Sequence, residues 1–295
     1  MLSRFVSTVA AVFTLGLLGS TSGCDAPGPS SGPVELAEVP SQFVDFGGVK
    51  VHWKTHGSGE PALLYVPGWG SDHTVWSEQA KLPPADRRFI YVDLPGHGES
   101  DAPERDYSFT WLAAAMDVVR AEAGSKEVIL VAHSNGAAVA RQYLRQYPDK
   151  VKGFIAVEGS LRPLMSNAQM WDRLVARVRA DEYREFVKQM LASETDEARR
   201  QQLYDMTVKT PQHVLVATMD ALGDPSVWKD DTIPVPLLVA NAQSRFWTAD
   251  YRAFVEGLAP DLTWHEREGA THFLMMGEAD WFASTVRDFL KEKQL

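Results

Sequence analysis

Residues 128–138 read Val-Ile-Leu-Val-Ala-His-Ser-Asn-Gly-Ala-Ala, and no other stretch constrains the chain so tightly. Val128-Ile-Leu-Val131 is apolar at every position, so a strand built from it has both faces covered. The small residues after it predict a helix that starts close against the strand end, with Ser134 at the turn between them. A bend this tight exposes the hydroxyl of its central residue with the positive end of a helix behind it, which is what a nucleophilic serine needs. Ala132 and Gly136 stand two residues before and two after, where only small side chains let the chain pass itself.

The same strand-then-helix rhythm runs through most of the chain. Strands are expected at Gln42–Phe46, Val49–His56, Ala62–Val66, Phe89–Asp93, Val128–Ala132, Phe154–Val157, Pro236–Ala240 and Leu262–Arg267. Amphipathic stretches at Trp111–Ala123, Ala137–Tyr147 and Asp280–Lys291 are expected helices. Such alternation predicts an α/β fold, a mostly parallel eight-stranded sheet with helices on both faces. Residues 161–232 break the rhythm with helical patterns at Gln169–Ala180, Glu182–Ala192, Asp196–Val208 and Gln212–Leu222, punctuated by Pro211 and Gly223. They read as a helical lid inserted in a core made of 42–160 and 233–295.

Composition narrows the function. With 29 basic and 39 acidic residues, the net charge is −10, which excludes nucleic acid as a partner because phosphate neutralisation needs surplus Lys and Arg. The single cysteine, Cys24, excludes an internal disulfide and a cysteine-based metal site. His52 and His56 lie four apart on one strand, hence about 13 Å apart, too far to share a metal. Together with His73, His213 and His265 they fall outside any catalytic pattern. No phosphate loop and no HExxH is present, so neither metal nor cofactor is expected.

The N-terminus reads as an address. Arg4 precedes a mostly apolar run, Phe5–Leu18, too short to span a membrane comfortably, and Thr21-Ser-Gly-Cys24 follows. This resembles a bacterial lipoprotein signal, with Thr21 where leucine is commoner. The resemblance implies removal of residues 1–23, a lipid on Cys24, and a membrane anchor in the cell envelope. Residues 24–41, rich in Pro, Gly and Ser, are expected to be a flexible tether.

Three further segments follow the order seen around Ser134. Leu64-Tyr-Val-Pro-Gly-Trp-Gly70 ends a strand in a glycine turn, Asp93-Leu-Pro-Gly-His-Gly-Glu-Ser100 is a glycine-rich loop, and Gly269-Ala-Thr-His-Phe273 places His272 just after the last strand. With the Ala-His-Ser-Asn-Gly elbow, these segments resemble the α/β-hydrolase superfamily over about residues 42–293. There the elbow is written G-x-S-x-G; Ala132 replaces its first glycine, and Pro67-Gly68 replaces a frequent His-Gly. The resemblance implies that Ser134 is the nucleophile and His272 the base. It gives the backbone N–H groups of Trp69 and Asn135 the oxyanion, and makes Asp93 and His97 architectural.

The acid is the harder assignment. The loop in which the superfamily usually carries an Asp reads Asn241-Ala-Gln-Ser-Arg-Phe246, without a carboxylate. Asp250 suits the first turn of a helix. Glu158, at the end of the preceding strand and followed by Arg162-Pro163, is placed like the triad Glu of some haloalkane dehalogenases and Renilla-type luciferases. Glu158 is therefore the expected acid. The implied reaction is hydrolysis of a small or medium ester or lactone through an acyl-enzyme. Amide cleavage, carbon–carbon bond hydrolysis and perhydrolysis on the same triad stay open, as does a tethered small-molecule binder with little turnover.

Overall fold

Strands that are apolar on both faces have to lie between two helical layers, and the chain is arranged so. The computed structural model describes residues 33–82, 86–163, 165 and 167–295. The strands are β1 (Gln42–Phe46), β2 (Val49–Gly57), β3 (Ala62–Val66), β4 (Arg88–Val92), β5 (Val128–His133), β6 (Val151–Val157), β7 (Leu237–Ala242) and β8 (Leu262–Arg267). They form one sheet in the order β1-β2-β4-β3-β5-β6-β7-β8. β2 is antiparallel to β1 and β4, and the other neighbours are parallel.

The helices are α1 (Ser77–Lys81), α2 (Phe109–Glu122), α3 (Asn135–Gln146), α4 (Ala168–Arg179), α5 (Tyr183–Met190), α6 (Glu197–Lys209), α7 (Gln212–Gly223), α8 (Ala249–Leu258), α9 (Leu274–Gly277) and α10 (Ala279–Glu292). Side chains alternate along each central strand and feed two cores. Val128, Leu130 and Ala132 pack with Leu112, Met116 and Val139 of α2 and α3. Ile129 and Val131 pack with Ala80, Phe282 and Phe289 of α1 and α10.

Each of the eight expected strands is present, with ends moved by a few residues. β6 begins at Val151 because that residue pairs with Val128, although exposed Lys152 interrupts the apolar run. Between β6 and β7 the described residues form helices and no strand. Asp196 accepts from the Arg199 N–H at 2.8 Å and starts α6, and Pro211 precedes α7.

The tether is shorter than expected. Leu36 and Val39 are buried in the second core, Val34 N–H donates to the Ala80 carbonyl, and Lys54 Nζ donates to the Leu36 carbonyl at 3.0 Å. Two apolar side chains and a buried ammonium outweigh the local Pro/Gly/Ser composition. The signal reading over 1–23 and Cys24 lie outside the described residues. No helix among the described residues is long and apolar enough to cross a membrane.

On β2, His56 stacks on Phe89 with ring centroids 4.6 Å apart and shares a 3.1 Å hydrogen bond with the Tyr91 hydroxyl. Burial pushes its pKa down from 6.5 to about 4. Between these values the unfolded chain binds a proton that the folded chain refuses. The stability tied to His56 is therefore full above the unfolded pKa and is lost as pH falls toward the folded one. His56→Gln should flatten the fall in unfolding free energy between pH 6.5 and about 4, by up to roughly 3 kcal/mol, in urea titrations at each pH.

Candidate active site

β5 ends at His133 and α3 begins at Asn135, which leaves Ser134 alone to turn the chain. Its backbone stands at φ 53°, ψ −124°, a region that favours glycine and costs another residue on the order of 1–3 kcal/mol. Two hydrogen bonds hold the turn: Ser134 N–H to the Val157 carbonyl at 2.9 Å, and Ala137 N–H to the Ser134 carbonyl at 3.0 Å. Two glycines make room for it. A Cβ on Gly136 would stand 2.4 Å from the Pro67 carbonyl oxygen, and one on Gly68 would stand 3.1 Å from Ser134 Cβ. The loop after β3 and the start of α3 thus meet backbone to backbone beside the hydroxyl.

The other two groups arrive from the segments after β6 and β8. His272 lies in the irregular stretch between β8 and α9, with Nε2 3.0 Å from Ser134 Oγ and Nδ1 3.0 Å from Glu158 Oε2. Glu158 directly follows β6 and also takes a left-handed backbone, φ 50°. Its Oε1 accepts from Ala242 N–H at 2.6 Å and from the Trp247 indole N–H at 2.9 Å. A carboxylate on Nδ1 selects the tautomer that carries its proton there and leaves the Nε2 lone pair for the serine hydroxyl. The alternative acid, Asp250, sits in the first turn of α8 with its side chain 82% exposed and ion-paired to Arg162 at 2.8 Å.

The backbone N–H groups of Trp69 and Asn135 have no acceptor among the described residues. Asn135 opens α3, where the first N–H groups have no intrahelical partner. The Trp69 indole donates to the Leu215 carbonyl of α7 at 2.9 Å, which ties this loop to the inserted helices. Over Ser134 lies a cavity of about 100 Å³, walled by Trp69, Val187, Leu191 and Phe273, with the hydroxyls of Ser71 and Thr207. The Ser134 hydroxyl, the His272 ring bonded to it and a largely apolar recess thus share one opening.

Two histidines that the motifs left unassigned meet at Asp93. Its carboxylate accepts from His52 Nδ1 at 2.8 Å, His73 Nδ1 at 2.9 Å, His73 N–H at 2.7 Å and Glu99 N–H at 3.0 Å. Burial alone would raise its pKa, but the bonds from His52 and His73 hold it well below the usual carboxylate range. Among the described residues this is the one trio of metal-ligand type within 4.8 Å. Direct hydrogen bonds already saturate the carboxylate, so the trio closes as a structural network, consistent with an architectural Asp93. His97 is buried, its pKa lowered by that burial, and its Nδ1 pairs with the Pro95 carbonyl at 3.2 Å. His133 was also missed: its Nε2–H donates to the His272 carbonyl at 2.9 Å. Burial, then the neighbouring His272, drive its pKa well down, so it stands neutral beside the base.

Comparison with known proteins bears on the fold. A family model described as alpha/beta hydrolase fold matches residues 61–277. An uncharacterised protein of Mycobacterium bovis is 36% identical over 126 residues, 42% of this chain and 36% of its own. The pimeloyl-[acyl-carrier protein] methyl ester esterase of Yersinia pseudotuberculosis is 30% identical over 153 residues, 50% of this chain and 57% of its own. The chain thus spans less than two thirds of either relative. The solved structure of an esterase from Exiguobacterium antarcticum superposes with a TM-score of 0.75 at 20% identity, covering 85% of this chain and 100% of that one. At that identity the likeness speaks for the fold alone.

The two carboxylates separate cleanly by experiment. Glu158→Gln keeps the shape and removes the charge facing Nδ1, so covalent labelling of the chain by a fluorophosphonate should slow by about 10³–10⁴. Asp250→Asn, which breaks only an exposed ion pair, should slow it less than about tenfold. The opposite ranking would move the acid to the loop after β7.

Proposed function

The chain belongs to the α/β-hydrolase fold family, and from that premise we propose that it cleaves a small or medium carboxylic ester or lactone through an acyl-enzyme on Ser134. The carrying observation is the unbroken line from Ser134 Oγ through His272 to Glu158, 3.0 Å at each link. Ser134 Oγ attacks the carbonyl carbon while its proton passes to His272 Nε2. The carbonyl oxygen becomes an anion facing the N–H groups of Trp69 and Asn135. When the tetrahedral intermediate collapses, the bond to the leaving oxygen breaks and His272 returns the proton to that oxygen. Water, deprotonated by the same imidazole, then releases the acid and restores Ser134. Glu158, bonded to Nδ1, stabilises the imidazolium that forms twice per cycle.

The cavity size favours short acyl groups, and its largely apolar walls favour an unbranched hydrocarbon portion. The Yersinia relative, by name a methyl ester esterase, supports ester over amide cleavage. The helices of 161–232 serve in this reading as the lid that excludes water from the acyl group. Lipid attachment at Cys24, with the domain held at a bacterial envelope membrane, belongs to the same proposal.

Two measurements test it. The purified chain should hydrolyse p-nitrophenyl acetate and butyrate, and Ser134→Ala should lose at least about three orders of magnitude in kcat. Near-normal turnover in that variant would overturn the mechanism. Expressed at full length in a bacterium, the chain should incorporate labelled palmitate and sediment with membranes, since multiple acyl chains hold where one binds only marginally. Cys24→Ser should abolish both; a lipid label that persists would overturn the anchor.

A further inference from the structure

One charged group of the inserted helices reaches the base. Glu194, in the bend between α5 and α6, is only 2% exposed although it carries a carboxylate. Its Oε1 accepts from Arg199 Nη2 at 2.8 Å and from Asp196 N–H at 3.1 Å, and its Oε2 accepts from the Thr271 hydroxyl at 2.8 Å. Thr271 immediately precedes His272, and both Thr271 and Glu194 border the cavity over Ser134. Arg199 lies against the far end of the same stretch, where a Cβ on Gly277 would stand 3.1 Å from its Nη2.

Residues 268–273 have no strand or helix of their own, so bonds from outside must set the direction of the His272 ring. His133 supplies one from the core side, at the His272 carbonyl. Glu194 supplies another from the opposite side, through Thr271. Burying a carboxylate is costly unless it is paired, and an apolar residue of similar size would pack an insertion at least as well. A buried Glu here makes sense for what it holds. Burial works to raise its pKa, but Arg199, Asp196 N–H and Thr271 together lower it, so the acceptor remains a carboxylate.

We infer that Glu194 is a positioning residue which, through Thr271, braces the His272 loop against Ser134 and makes the inserted helices part of the alignment of the base. The inference rests on the hydrolase reading above for its consequence in catalysis, but not for the brace itself. It assigns the insertion a second role besides covering the acyl group: a cap displaced from its seat would carry Thr271 with it and lengthen the Ser134–His272 contact.

Thr271→Val tests this with little change of shape. It should lower kcat on p-nitrophenyl acetate about 10- to 100-fold, the scale of a displacement near 1 Å, with KM changed less than about twofold. Thr271→Ser, which restores the hydroxyl, should recover most of the rate. Adding Glu194→Gln to Thr271→Val should lower kcat little further, because the two act as one unit. Hydrogen exchange read by mass spectrometry should quicken in the peptides covering 268–274 and 190–199 of Thr271→Val, while peptides of the central strands keep wild-type exchange. Wild-type exchange in both peptides, or a rate loss that serine does not rescue, would overturn the brace. If the unsubstituted chain hydrolyses no ester, the exchange arm still decides the brace, and the failure falls on the hydrolase reading alone.

Discussion

The site depends on how closely the chain passes itself at the carboxyl ends of β3 and β5. Gly136 leaves no space for a Cβ against the Pro67 carbonyl, and Gly68 sits directly over Ser134. This approach sets the loop that carries Trp69 against the start of α3, where Asn135 follows the serine. It also forces Ser134 into a backbone region that only the surrounding bonds, to Val157 and from Ala137, make tenable. Relaxing the turn would relieve the strain and disperse the donors together. On the proposed function, strain and catalysis are coupled here because one close contact produces both.

A second constraint is electrostatic, and the chain solves it twice with the same residue types. Asp93 and Glu158 are both buried carboxylates bonded to histidine, yet they differ in how the bonds close. Four N–H groups saturate Asp93, and the side chains of His52 and His73 are 0% and 7% exposed, so neither ring is open to a reactant. Glu158 gives one oxygen to Ala242 and Trp247 and the other to His272, whose side chain is 42% exposed and turned to Ser134. A closed network adds rigidity under the loop at 93–100. An open one leaves a nitrogen for chemistry.

Much of this was legible in the sequence, for physical reasons that differ from element to element. Strands between two layers need continuous apolar runs, so β3, β5, β6 and β7 announce themselves, and the small residues around Ser134 are the only ones the turn tolerates. Convergence across the chain left no such mark. His52 and His73 reach Asp93 from 41 and 20 residues away, and periodicity reports which face a residue occupies, not what it meets there. Glu194 sits in a polar stretch that reads as an ordinary helix start, since its burial comes from α6 folding back over the His272 loop. Leu36 and Val39 were hidden by their Pro/Gly/Ser-rich neighbours in a similar way.

The position of the proposed acid follows from the same geometry. A carboxylate after β7 would hang on the segment that follows Ala242, and here the strand end and that segment supply donors instead: the Ala242 N–H and, a few residues on, the Trp247 indole. An aspartate placed among them would set a second negative charge beside Glu158, with one imidazole for both. This segment can hold donors because the carboxylate they serve, Glu158, stands after β6. From a left-handed backbone, Glu158 meets Nδ1 of His272, in the stretch after β8, through its other oxygen. Acid at the end of β6 and donors after β7 are therefore one arrangement, and either half without the other would leave a buried polar group without its partner.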